Sequence, residues 1–158
     1  MQGTVLRLVL VVALLAVATA LGLWWRARNG RYTAVDPALL ASAPADVADD
    51  SRLTAAELGA PFGARATFVQ FSSEVCAPCR RTHAVLAQVV SEHEGLSHVE
   101  MDVVEHLDLV RRFGIMRTPT TLLLDAHGVV VGRMSGATDR RHALAALEAS
   151  CPGGVPAA

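Results

Sequence analysis

The chain has 158 residues, 52% of them hydrophobic but only 4% aromatic, with a formal net charge of −1. That length accommodates one domain plus an appendage. The near-neutral charge leaves no electrostatic footprint for nucleic acid, the scarcity of aromatic rings leaves bases little to stack on, and three cysteines are too few for a disulfide scaffold.

The first predicted element is an uncharged apolar run, Leu8 to Trp25. As a helix it extends roughly 27 Å, close to the hydrocarbon thickness of a bilayer. Trp24 and Trp25 fall where an interfacial aromatic belt would lie, and Arg26, Arg28 and Arg31 follow. Ala18-Thr19-Ala20 offers the competing reading of a cleaved secretory signal. The apolar run continues past that site through Leu21-Gly22-Leu23-Trp24-Trp25, and only Arg7 precedes it, so residues 1–28 are read as one uncleaved transmembrane anchor. Residues 29–50 are rich in Ala, with Pro37, Pro44 and four Asp (Asp36, Asp46, Asp49, Asp50), and read as a flexible linker in which Leu39-Leu40 could begin a short helix.

A folded domain is expected over 51–151, with 152–158 a disordered tail. Thr54-Ala55-Ala56-Glu57 is a capping-box pattern and Gly59 suits a helix stop. Ala66 to Ser72 reads as a strand, Cys76 to Glu92 as a helix with Val85, Leu86, Val89 and Val90 on one face, and His98 to Val103 as an alternating strand. Leu107 to Phe113 is a short helix closed by Gly114. A hairpin follows, Thr120 to Asp125 and Val129 to Met134, turning at Ala126-His127-Gly128. The last helix starts near Thr138 and carries Leu144 and Leu147. Helices alternating with strands predict an α/β sandwich with a mixed sheet.

Chemistry concentrates at Cys76-Ala77-Pro78-Cys79. Two cysteines at i and i+3 in the first turn of a helix can reach each other, and Pro78 fits a turn where its missing N–H is no loss. At the helix start the backbone N–H groups and the helix dipole favour a thiolate on Cys76, which attacks a disulfide, and Cys79 then resolves the mixed disulfide. Cys76 is expected to be exposed and Cys79 shielded. The same spacing also serves half of a zinc site, or two unremarkable cysteines.

The surroundings discriminate. Phe68-Val69-Gln70-Phe71 precedes the motif, Arg80 follows it, and Phe113-Gly114-Ile115, Thr118-Pro119-Thr120, Asp125 to Gly128, and Gly136 come after in order. On these residues the chain, over about Ser51 to Cys151, resembles the thioredoxin family. The resemblance implies a three-layer sandwich with a mixed central sheet flanked by helices, preceded here by one N-terminal transmembrane helix. It implies a catalytic pair Cys76 and Cys79, and a Thr118-Pro119 bond that is cis and faces that pair. Ala77, Pro78, Thr118, Pro119 and Gly136 would form the substrate-binding surface, which takes an extended segment by strand addition. No cofactor is expected beyond the redox-active disulfide itself. The expected partners are a protein disulfide, an electron donor and the membrane, with no nucleic acid.

Three departures from the family pattern stand out. Val75 replaces the usual Trp, Ala77 replaces the usual Gly, and Gln70 replaces the buried strand Asp thought to exchange a proton with the resolving thiol. An amide cannot take that proton. Water, Glu74 or another group would then serve, favouring a specialised client or a different redox poise. Arg80 and Arg81 read as solvated helix residues. Of the six histidines, His98 is placed near the position where family members often carry a Lys, and the six are otherwise read as surface or turn residues. A metal set of Cys76, Cys79, His83 and Cys151 is weighed and not adopted, and Cys151 is assigned no role.

The leading expectation is a membrane-tethered thiol–disulfide oxidoreductase that reduces protein disulfides through Cys76 and Cys79. The alternatives are a metallochaperone or a cytochrome or copper-protein maturation factor using the same dithiol, and a non-catalytic interaction module. The expected location is a bacterial cell membrane, single-pass. The positive charges flanking the span lean toward a cytoplasmic domain, and the resemblance to tethered bacterial family members leans toward an extracytoplasmic one.

Overall fold

The computed structural model describes residues 2–28, 32–34 and 51–150. Helix α1 covers Gln2–Arg28. Its stretch Val5–Trp24, 20 residues with mean hydropathy 2.5, is long and apolar enough to cross a membrane. The side chains described there face outward, and Thr19 returns its hydroxyl to the Leu15 carbonyl at 2.8 Å, which hides that polar group within the helix.

The remaining elements are β1 (Tyr32–Ala34), α2 (Ala55–Leu58), β2 (Ala66–Ser72), α3 (Ala77–Glu92), β3 (Leu96–Asp102), α4 (Leu107–Arg112), β4 (Thr120–Asp125), β5 (Val130–Ser135) and α5 (Arg140–Ser150). The strands form one sheet in the order β1-β5-β4-β2-β3, with β2 and β3 parallel and the other neighbours antiparallel. Strand β2 is buried along its whole length, as a central strand covered on both faces should be.

Two apolar layers hold the sandwich. Val69, Phe71, Met101, Leu122 and Leu124 point to one face, where Leu58, Leu109 and Ile115 meet them. Ala66, Phe68, Leu123 and Met134 point to the other, under Leu86 and Val89 of α3 and Ala143, Ala146 and Leu147 of α5. A register shift opposite Leu123 and Leu124 interrupts the β4–β5 alternation, so Val130 joins the first layer while Met134 stays in the second.

The predicted capping box is present: Glu57 N–H donates to the Thr54 hydroxyl and the Glu57 carboxylate accepts the Thr54 N–H at 2.7 Å, with Gly59 left-handed at φ 64°. Strand β1 was not foreseen. It lies inside the segment read as a linker, and pairs with β5 from Tyr32 opposite Met134 to Ala34 opposite Gly132. A Cβ on Gly132 would meet the Tyr32 ring at 2.0 Å, so the glycine makes room for that ring. Leu39-Leu40 and Cys151 lie outside the described residues.

Candidate active site

Strand β2 delivers the chain to the end of the sheet, where Cys76 is the N-cap of α3 with extended backbone (φ −134°, ψ 94°). Its Sγ accepts the Cys79 N–H at 3.1 Å. Ala77 and Pro78 make the first turn, which closes a Cys76–Cys79 disulfide with Cα atoms 5.2 Å apart. The expected contrast in exposure is absent, because Cys76 is only 7% exposed and Cys79 2%. The asymmetry is electrostatic. Cys76 Sγ sits at the positive end of a 16-residue helix with an amide aimed at it, so charge left there when the disulfide opens is stabilised.

The Thr118–Pro119 peptide is cis. Its loop is fixed by Thr120 Oγ1 donating to the Arg117 carbonyl at 2.8 Å and by Gly136 N–H donating to the Pro119 carbonyl at 2.8 Å. Ser73 Oγ and Thr118 Oγ1, 3.4 Å apart, join this loop to the segment before Cys76. Pro78, Thr118, Pro119 and Gly136 line one groove of about 700 Å³, with Arg81 and His142 on its wall. Gly136 has φ 98°, a backbone that favours glycine. Ala77 is exposed beside the groove.

Gln70 is fully buried behind Cys79. Its Nε2 lies 2.8 Å from Ser72 Oγ, 3.1 Å from the Cys79 carbonyl and 3.1 Å from Glu100 Oε1. The second Glu100 oxygen is 2.8 Å from His83 Nδ1 on α3. A chain of polar contacts thus runs from a partly exposed His83–Glu100 pair to the backbone of Cys79. Gln70 Oε1 and its cross-strand neighbour Thr121 Oγ1 are buried and accept or donate no hydrogen bond among the described residues.

The residue in register with Gln70 on β3 is Glu100, and His98 pairs with Phe68. His98 is half-buried rather than fully exposed: its Nε2 is buried with no hydrogen-bond partner among the described residues, and its ring lies 4.9 Å from that of His83. Burial first, and then His83, push the His98 pKa down to about 4 against the opposing pull of Glu100, so the ring is neutral at pH 7. Arg80 and Arg81 are exposed, as expected. Among the described residues no group of three His, Cys, Asp or Glu is placed to hold a metal, and His83 turns to Glu100.

The profile of the thioredoxin-like domain family matches residues 60–150. The chain belongs to that family. A thioredoxin from Chlorobaculum thiosulfatiphilum is 31% identical over 74 residues, covering 46% of this chain and 68% of that protein. Among solved structures, a thioredoxin variant from Halobacterium salinarum superposes with a TM-score of 0.50 at 23% identity, covering 58% of this chain and 79% of that one. A malarial protein does so with a TM-score of 0.50 at 15% identity, covering 54% and 97%. This thioredoxin-like domain therefore carries a cysteine pair at disulfide distance on the first turn of a helix, an arrangement that suits redox chemistry.

Proposed function

We propose that the protein is a membrane-tethered thiol–disulfide oxidoreductase that reduces protein disulfides. The observation that carries this is the Cys76–Cys79 disulfide at the N-terminus of α3, beside a groove lined by Pro78, Thr118, Pro119 and Gly136. In the reduced form the Cys76 thiolate attacks one sulfur of the client disulfide, and the client's other sulfur leaves as a thiolate. Cys79 loses its proton and attacks Cys76, releasing the client's second sulfur. Two electrons pass to the client, and Cys76–Cys79 becomes the disulfide. A dithiol donor returns the pair to its reduced form. No cofactor enters these steps.

The client's backbone lies along Thr118 as an added strand, and Gly136 leaves room for it. Gln70 cannot accept the Cys79 proton. Water takes that proton and passes it to the Glu100 carboxylate, which the Gln70 amide holds on the same polar chain as the Cys79 carbonyl, with His83 on its solvent side. Helix α1 spans the bilayer once and tethers the domain.

The test is reduction of insulin disulfides with a small dithiol as electron source. The wild-type chain is expected to accelerate it, and Cys76→Ser to abolish the acceleration. Equal rates for the two would refute the assignment.

A further inference from the structure

Strand pairing fixes which end of the sheet the anchor enters. Strands β2 and β3 both finish at the end that carries Cys76. Strand β4 starts there, with Thr120 opposite Phe71, and β5 finishes there, with Ser135 opposite Thr120. Strand β1 runs antiparallel to β5, so Tyr32, opposite Met134, is at that same end. Helix α1 ends at Arg28 and β1 begins at Tyr32. Four residue steps span at most about 14 Å. Gly136, whose N–H binds the Pro119 carbonyl, lies two residues beyond Met134, or about 7 Å along the strand. The far end of β5, at Val130, lies about 13 Å the other way.

Surface chemistry agrees. Among the described residues of 51–150, the large apolar side chains left exposed are Val75 (94%), Val104 (73%), Leu107 (51%) and Met116 (92%). Val75 directly precedes Cys76, and Met116 lies two residues before Thr118. Val104 follows β3 at the point where Val103 N–H reaches the Ser72 carbonyl, and Leu107 opens the next helix. Val75, Met116 and Val104 adjoin the segments that leave the redox end of the sheet, and exposed apolar side chains gathered at that end favour a contact surface there.

Resting on the proposed span and redox activity, we infer that the redox end faces the bilayer and docks on a membrane-embedded protein that presents its cysteine pair at the bilayer surface. A lipid surface alone would satisfy the apolar side chains but offers no disulfide to Cys76. The step itself is the exchange described above: the partner's disulfide gains two electrons as Cys76 and Cys79 lose them.

The test uses the full chain, pre-reduced, in phosphatidylcholine–phosphatidylglycerol vesicles, with a synthetic single-span peptide carrying a disulfide-closed Cys-x-x-Cys directly beside its span. A second peptide raises that disulfide about 40 Å on a helical spacer, at 1.5 Å per residue. The surface-adjacent disulfide is expected to be reduced at least tenfold faster in a single turnover. A flexible Gly/Ser insert of about 30 residues between Arg28 and Tyr32 should erase the preference, by lowering the effective concentration at the bilayer. Val75→Ser with Met116→Ser should slow the adjacent reaction at least threefold while flotation is unchanged. Equal or faster reduction of the raised disulfide by a chain that floats after alkaline carbonate washing would overturn this inference alone. An unchanged adjacent rate in the double Ser variant would overturn the docking surface. Failure to float would overturn the span and this inference together.

Discussion

Gln70, Glu100 and His98 show how a few polar side chains set the behaviour of an otherwise apolar sandwich. A carboxylate at position 70 would be buried directly against the Cys79 carbonyl. Glu100 reaches the same amide from the neighbouring strand while staying partly in solvent, so its charge is less costly to keep. Glu100→Gln preserves an acceptor for the Gln70 amide and removes only the charge. Rapid-mixing measurement of the step in which Cys79 displaces the client should find it slowed roughly tenfold or more near neutral pH, since general-base assistance is typically worth about 10²–10⁴-fold. An unchanged rate and pH profile would reduce Glu100 to a structural partner of Gln70.

His98 gives the same layer an acid-sensitive element. Its folded pKa, about 4, lies below the ordinary 6.5, so the unfolded chain binds the proton first. The stability associated with a neutral His98 is complete above pH 6.5 and is lost as pH falls from 6.5 toward 4. At pH 5 the loss should be about 2 kcal/mol, several degrees of melting temperature. Glu57 loses in a lower window. Its burial opposes ionisation, but hydrogen bonds from Thr54 and Arg112 outweigh it and hold its pKa below 4.5, so its contribution falls away only below that value. Thermal melts of wild type and His98→Gln at pH 7 and pH 5 separate the two: the variant should show a distinctly smaller drop, and an equal drop would contradict the assignment.

At the scale of elements, the sequence was most legible where local chemistry decides structure. The apolar runs and the capping pattern located β2, α2 and β4, and Gly114 marked the end of α4. Strand β1 was hidden because Tyr32-Thr33-Ala34 is only three residues long, and its pairing depends on Gly132, a hundred residues away. Glu100 was missed for the same reason: its place beside Gln70 comes from parallel register, which neither strand encodes alone. Register also decides the attachment of β1. The Tyr32 hydroxyl donates to the Val131 carbonyl at 3.0 Å and contacts Ser150 Oγ, while its ring covers Gly132. Gly132→Val should expel that ring and release β1 at a cost of about 1–3 kcal/mol, the usual range for such overpacking. Hydrogen exchange should then show lost protection over 32–34, with β2 and β4 still protected. Retained protection at β1 would mean that Tyr32 does not anchor it.

For the whole molecule, the domain joins a helix long enough to cross a bilayer to a thioredoxin-like sandwich whose cysteine pair lies at the end of the sheet where that helix connects. The cysteine motif and the Thr118-Pro119 loop were legible because their spacing and order are local features of the chain. The placement of the apolar helix and the redox pair at one end of the sheet was not, since it emerges only when five strands are placed in order. Full-length protein in membranes should resist alkaline carbonate and begin before Leu21, and N-terminal sequencing that starts at Leu21 would show cleavage after Ala20 instead. The central claim is that Cys76 attacks and Cys79 resolves. Its most direct test is intact-mass spectrometry of the reduced Cys79→Ser and Cys76→Ser chains after mixing with one disulfide-bonded peptide. The expected result is a stable mixed disulfide through Cys76 in the first variant and little or none in the second. Equal trapping by both, or by neither, would contradict it.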